Sequence, residues 1–81
     1  SLSESALFVL VALRLQDVLS MSEVVEVTNL SLAAVRTTVR DLLSRGLVEW
    51  AADDHLRVPD DALQSVTRTL RRRHFLHLGA A

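Results

Sequence analysis

The chain has 81 residues, of which 49% are hydrophobic and 23% charged, with a formal net charge of −1 and no Cys. A core of this size buries only about 60–65% of the surface of the unfolded chain, which excludes a second domain, and the balance of apolar and charged residues excludes disorder. Without Cys there is neither a disulfide framework nor a thiolate metal site, so packing alone must hold the fold and a cytoplasmic setting is expected.

The start at Ser1 rather than Met leads to the expectation of a segment of a longer protein. Ser1-Leu2-Ser3-Glu4 offers Ser caps and an S-x-x-E box ahead of a first helix from about Glu4 to Leu15. That helix is apolar on nearly every side, so it must be covered on several sides, as the central strut of a small bundle or within a subunit interface. Its longest unbroken apolar run, Ala6 to Leu13, falls far short of the roughly 18–20 residues of a membrane span, so a soluble protein is expected.

Ser20 or Ser22 caps a short helix over about residues 22 to 28, with Glu23 and Glu26 near its positive end and Val24, Val25 and Val27 facing inward. In Thr28-Asn29-Leu30-Ser31 the Asn suits a left-handed helix end and Ser31 caps the next helix. That helix, about residues 32 to 45, carries Leu32, Val35, Val39 and Leu42 or Leu43 at helical period, with Ala33, Arg36, Thr37, Arg40 and Ser44 opposite. Gly46 closes it.

A two-stranded hairpin follows over about residues 47 to 58, turning at Asp53-Asp54, with Leu56 and Val58 on one face and His55 and Arg57 on the other. Trp50 reads as core or sheet packing. Pro59 and Asp60 open a last helix, about residues 61 to 78, whose inward stripe is Leu63, Val66 and Leu70. The fold class is therefore mainly α with a small two-stranded β-hairpin, in the order α-α-α-β-β-α, as a single domain over residues 1–81.

Charge is uneven along this order. Residues 1–54 hold four Arg against eight acidic residues, or −4, whereas residues 55–81 hold five Arg against two Asp, or +3. Arg68, Arg71, Arg72 and Arg73 are too many for one tidy polar stripe. They read as a solvated helix end, a phosphate-binding patch or a dock for an acidic protein surface. His74 and His77 stand at i, i+3, but the helix offers no nearby acidic residue and a third ligand would have to be His55 or an aspartate of the wing, so neither metal nor cofactor is expected. No nucleophile triad, phosphate loop or carboxylate pair is discernible with two Gly in so short a chain, and catalysis is not expected.

The element order, together with the turn in "SEVVEVTNLS" and the helix exit in "LLSRGLVE", resembles the winged helix-turn-helix superfamily, in particular regulators of the MarR and ArsR kind. The resemblance spans about Glu4 to Leu78. It implies a DNA-binding domain of a transcriptional regulator, with the helix after Ser31 in the major groove of double-stranded DNA. Arg36, Thr37 and Arg40 would then meet base edges or phosphates, Ser31 a phosphate at the helix start, and Arg57 the backbone from the wing. In relatives of this fold the terminal helices build a homodimer, which points to Phe75, Leu76 and Leu78 as dimer contacts. Two features depart from the pattern: Leu32, Ala33 and Ala34 make the helix tip apolar, and Asp53 and Asp54 make the wing tip acidic. These suit the alternative, a winged-helix module that grips a protein partner within a larger assembly or an ATPase.

Overall fold

The computed structural model describes residues 1–75. The elements are α1 (Glu4–Gln16), β1 (Leu19–Ser20), α2 (Met21–Thr28), α3 (Leu32–Ser44), β2 (Glu49–Trp50), β3 (His55–Arg57), a single 3-10 turn at Asp60–Ala62, and α4 (Leu63–Arg72). Side-chain oxygens start the first three helices: Ser3 accepts from the Ala6 N–H, Ser20 from Glu23 and Ser31 from Ala34, each at 3.1 Å. At α2 the cap is reciprocal, because the Glu23 carboxylate also accepts the Ser20 backbone N–H at 2.8 Å.

The apolar circumference of α1 is explained by its position. It packs against α2, α3 and α4, and Leu7, Leu10 and Leu13 are fully buried along it together with Ala6, Val9 and Ala12. Around this strut close Val24 of α2, Val35, Val39 and Leu42 of α3, and Val66 and Leu70 of α4. Each such side chain withdrawn from water is worth about 2 kcal/mol.

The sheet has three strands rather than two. Leu19–Ser20 pairs antiparallel with β3, giving the order β1-β3-β2, with Leu19 opposite Leu56 and Trp50 opposite Leu56. Two residues are too few to show a strand's alternation, so β1 left no periodic trace in the sequence. Between α1 and β1 the chain reverses at Asp17, whose φ of 66° and ψ of −69° form a γ-turn closed by the Val18 N–H on the Gln16 carbonyl at 2.8 Å.

Several side chains expected inside are exposed. Leu32, at 44% exposure, lies about 70° from the centre of the buried arc of α3, which includes Thr38 beside the valines. Trp50 is 48% exposed on β2, a two-residue strand that buries neither of its side chains. On α2 only Val24 is buried, and Val27 is 48% exposed. Leu63, as the first residue of α4, is likewise exposed.

α4 also ends earlier than its apolar residues suggested. His74 takes φ 65°, its N–H bonds the Arg71 carbonyl at 3.1 Å, and the Phe75 N–H bonds Leu70 at 2.8 Å. That is a Schellman turn. It swings Phe75 back onto Phe8, ring centroids 5.3 Å apart and edge to face at 70°. α3 closes the same way, with Gly46 at φ 72° and bonds from Gly46 to Leu43 and from Leu47 to Leu42. The expected helical residues 76 to 78 lie outside those described.

Three measurements check this account. Leu10→Ala should cost about 3 kcal/mol in urea unfolding followed by circular dichroism, since the cavity lies at the centre of the bundle. Gly46→Ala meets no atom within 4 Å, so its cost, about 1 kcal/mol, should come from the left-handed backbone alone. Glu23 is held below the usual carboxylate range by the Ser20 backbone N–H and hydroxyl, with attraction from His55 added. Its contribution is therefore present at neutral pH and lost as pH falls through the depressed value. Glu23→Gln should be less stable than the parent at pH 7, and thermal melts should bring the two together in acid.

Candidate nucleic-acid interface

The turn between α2 and α3 is built from short polar side chains. Thr28 Oγ1 donates to the Val24 carbonyl at 2.6 Å and accepts the Leu30 N–H at 3.3 Å. Asn29 adopts φ 60° and its N–H bonds the Val25 carbonyl at 2.9 Å. Ser31 then caps α3. Each residue satisfies a backbone group that the helix end leaves open, so the angle between the two helices is set locally.

With Val35, Thr38, Val39 and Leu42 turned inward, α3 presents Ala33, Arg36, Thr37, Arg40 and Ser44 on one exposed stripe. These are the five residues that helical period places opposite the core, although Leu32, expected inside, is exposed and Thr38 is buried. Neither Arg36 nor Arg40 makes an ion pair among the described residues, because the one carboxylate of the helix, Asp41, is held by Arg45 at 3.0 Å. Arg36 and Arg40 stand one turn apart, and like charges at that spacing repel by a few tenths of a kcal/mol. An anionic partner would relieve that repulsion. The Ser31 hydroxyl is engaged by the Ala34 N–H, so an anion at this helix start would meet backbone N–H groups as much as the side chain.

Arg57 is separated from this group. Its Nη2 donates to Asp60 Oδ1 at 2.8 Å and its Nε lies 3.5 Å from Glu49 Oε2, so two carboxylates already hold the guanidinium. The wing tip is acidic, with Asp54 3.6 Å from His55 Nδ1. It is also tethered, since the Asp54 carbonyl accepts the Met21 N–H at 3.3 Å and so joins the hairpin to the start of α2. The structure thus gathers Ser31, Arg36, Thr37 and Arg40 on one helix and leaves Arg57 in its own ion-pair cluster.

Arg68, Arg71, Arg72 and Arg73 are exposed on α4 and its cap and make no ion pair among the described residues. Phe75 is half-buried against the core, and Leu76 and Leu78 lie outside the described residues. Arg14 was not singled out from the sequence. Its signal was that it alone carries charge between Ala6 and Leu15, and its Nε donates to Thr67 Oγ1 of α4 at 2.7 Å. Among the described residues no group of three His, Cys, Asp or Glu is placed to hold a metal, and no helix is long and apolar enough to cross a membrane.

No protein-family model matches the chain, and no curated protein does. Solved structures do. BpsR of Bordetella bronchiseptica, described by the regulation of its DNA binding by 6-hydroxynicotinic acid, superposes with a TM-score of 0.80 and 25% identity over 91% of this chain. The YusO protein of Bacillus subtilis superposes with a TM-score of 0.68 and 20% identity over 94%. The chain spans 57% and 64% of those two proteins, less than two thirds of either. The helix-turn-helix of α2 and α3, the β2–β3 wing and the flanking α1 and α4, with this likeness, give the chain a MarR-like winged helix-turn-helix fold.

Proposed function

We propose that the chain is the DNA-binding domain of a transcriptional regulator, with α3 lying in the major groove of duplex DNA. The observation that carries this reading is the guanidinium pair of Arg36 and Arg40, without an ion partner among the described residues and one turn apart on the exposed stripe of α3. A guanidinium fork matches guanine O6 and N7, and Thr37 between them suits a phosphate or a thymine methyl. The small side chain of Ala33 allows close approach of the backbone. The DNA binding printed for BpsR supports the assignment. Arg57 has a secondary role here, because a phosphate must compete with Glu49 and Asp60 for it.

The domain works by binding rather than by catalysis, and it works in the cytoplasm, where DNA is accessible. A homodimer fits the reading. Two such domains, each 33 × 25 × 24 Å, can place their α3 helices one DNA turn, about 34 Å, apart. Phe75 with Leu76 and Leu78 is the contact we assign to it.

A second reading has one observation in its favour. Leu32, 44% exposed, begins α3 beside exposed Ala33, and Val27 is 48% exposed on α2. An apolar surface there suits a protein partner.

Titration of labelled mixed-sequence duplex, read by fluorescence anisotropy at two salt concentrations, separates the readings. Binding should weaken as salt rises. Arg36→Ala and Arg40→Ala should each cost about 1–3 kcal/mol where they meet bases, or lower the salt slope by about 1 where they meet phosphate. Arg57→Ala should have the smaller effect. Unchanged affinity in the Arg36/Arg40 double variant would transfer α3 to the protein-binding reading.

A further inference from the structure

We infer that the groove between α1 and α4 docks an acidic peptide segment that also carries apolar side chains. The groove is lined by Arg14, Leu63, Gln64, Thr67, Arg68 and Arg71. None of Ser31, Arg36, Thr37 or Arg40 borders it, so it is a surface separate from the exposed stripe of α3.

Three features define the ligand. The first is charge: three guanidinium groups face one carboxylate, Asp60, which Arg57 already holds at 2.8 Å. The second is preorganisation. Arg14 is half-buried, and its Nε bond to Thr67 Oγ1 at 2.7 Å fixes the guanidinium plane while its terminal nitrogens have no partner among the described residues. A fixed fork of two N–H donors fits a carboxylate bidentately. The third is the apolar surface next to these charges. Leu63 is 37% exposed, and it also borders a smaller adjoining hollow edged by Val18, 43% exposed, and by Asp17.

These features discriminate between anions. A phosphate backbone would satisfy the guanidinium groups but has nothing to bury on Leu63. A small organic acid would remain largely solvated, because the groove is open along the surface, and tight small-molecule sites enclose most of their ligand. A peptide segment that carries both acidic and apolar side chains meets the Arg row along α4 and the apolar surface at Leu63, at the start of that helix.

The test uses the 81-residue chain and a labelled synthetic peptide alternating Glu with Leu and Phe, with anisotropy as readout. A second peptide replaces Leu and Phe by Ser at the same charge. The alternating peptide should bind more tightly than the Ser peptide. Arg68→Gln with Arg71→Gln should weaken it about tenfold, as expected for losing two partly desolvated charge contacts. Leu63→Gln should weaken the alternating peptide alone, and Arg14→Lys, which keeps the charge and removes the fork, should weaken both. Duplex DNA affinity should be unaffected by all four substitutions, and unchanged circular dichroism should show that the variants fold. Equal affinity for both peptides would reduce the groove to a non-specific basic patch and overturn the inference. So would loss of duplex binding in the Arg68/Arg71 variant, displacement of the peptide by benzoate at comparable affinity, or no peptide binding at all.

Discussion

Everything in this domain leans on the burial of one helix. α1 is covered by α2, α3 and α4, and Leu7, Leu10 and Leu13 along it have no exposure above 2%. The remaining helices are short, and helices of their length are marginal on their own in water, so they persist because each lays an apolar edge on this strut. The exposed stripe of α3 is a by-product of the same packing. Once Val35, Val39 and Leu42 are committed to the core, Arg36, Thr37 and Arg40 have no direction left but outward.

Local polar bonds then convert packed helices into a definite geometry. Ser20 with Glu23, Thr28 with the Val24 carbonyl, and Ser31 with the Ala34 N–H are individually modest, yet they fix where each helix begins and at what angle it leaves its predecessor. Hydrophobic contact alone would permit α3 to roll about its axis. Caps at one end and the Gly46 turn at the other set its limits.

Most of this was legible in the chain because its signals are local: Ser caps, Asn29 and Gly46 at left-handed positions, and valines and leucines at helical spacing. What escaped the sequence depended on tertiary context. Trp50 is exposed with Glu49 on β2, and a two-residue strand has no alternation from which its outward face can be read. Leu32 lies at the margin of a buried arc whose width is set by the neighbouring helix. Phe75 looked like the continuation of a helix, but its side chain was worth more against Phe8. At the candidate interface, the Arg36–Thr37–Arg40 stripe was visible from period alone. The engagement of Arg57 by Glu49 and Asp60 was not, since it requires both the strand register and the turn after Pro59.

The three-stranded sheet has a mechanical consequence. β3 is bonded on both sides, to the edge strand of the wing and to the two residues that lead directly into α2, while the wing tip is tied to Met21. A load applied at the hairpin therefore passes into the base of the helix-turn-helix without an intervening hinge. The wing is thus braced against the start of α2, and through the Thr28–Ser31 turn against α3.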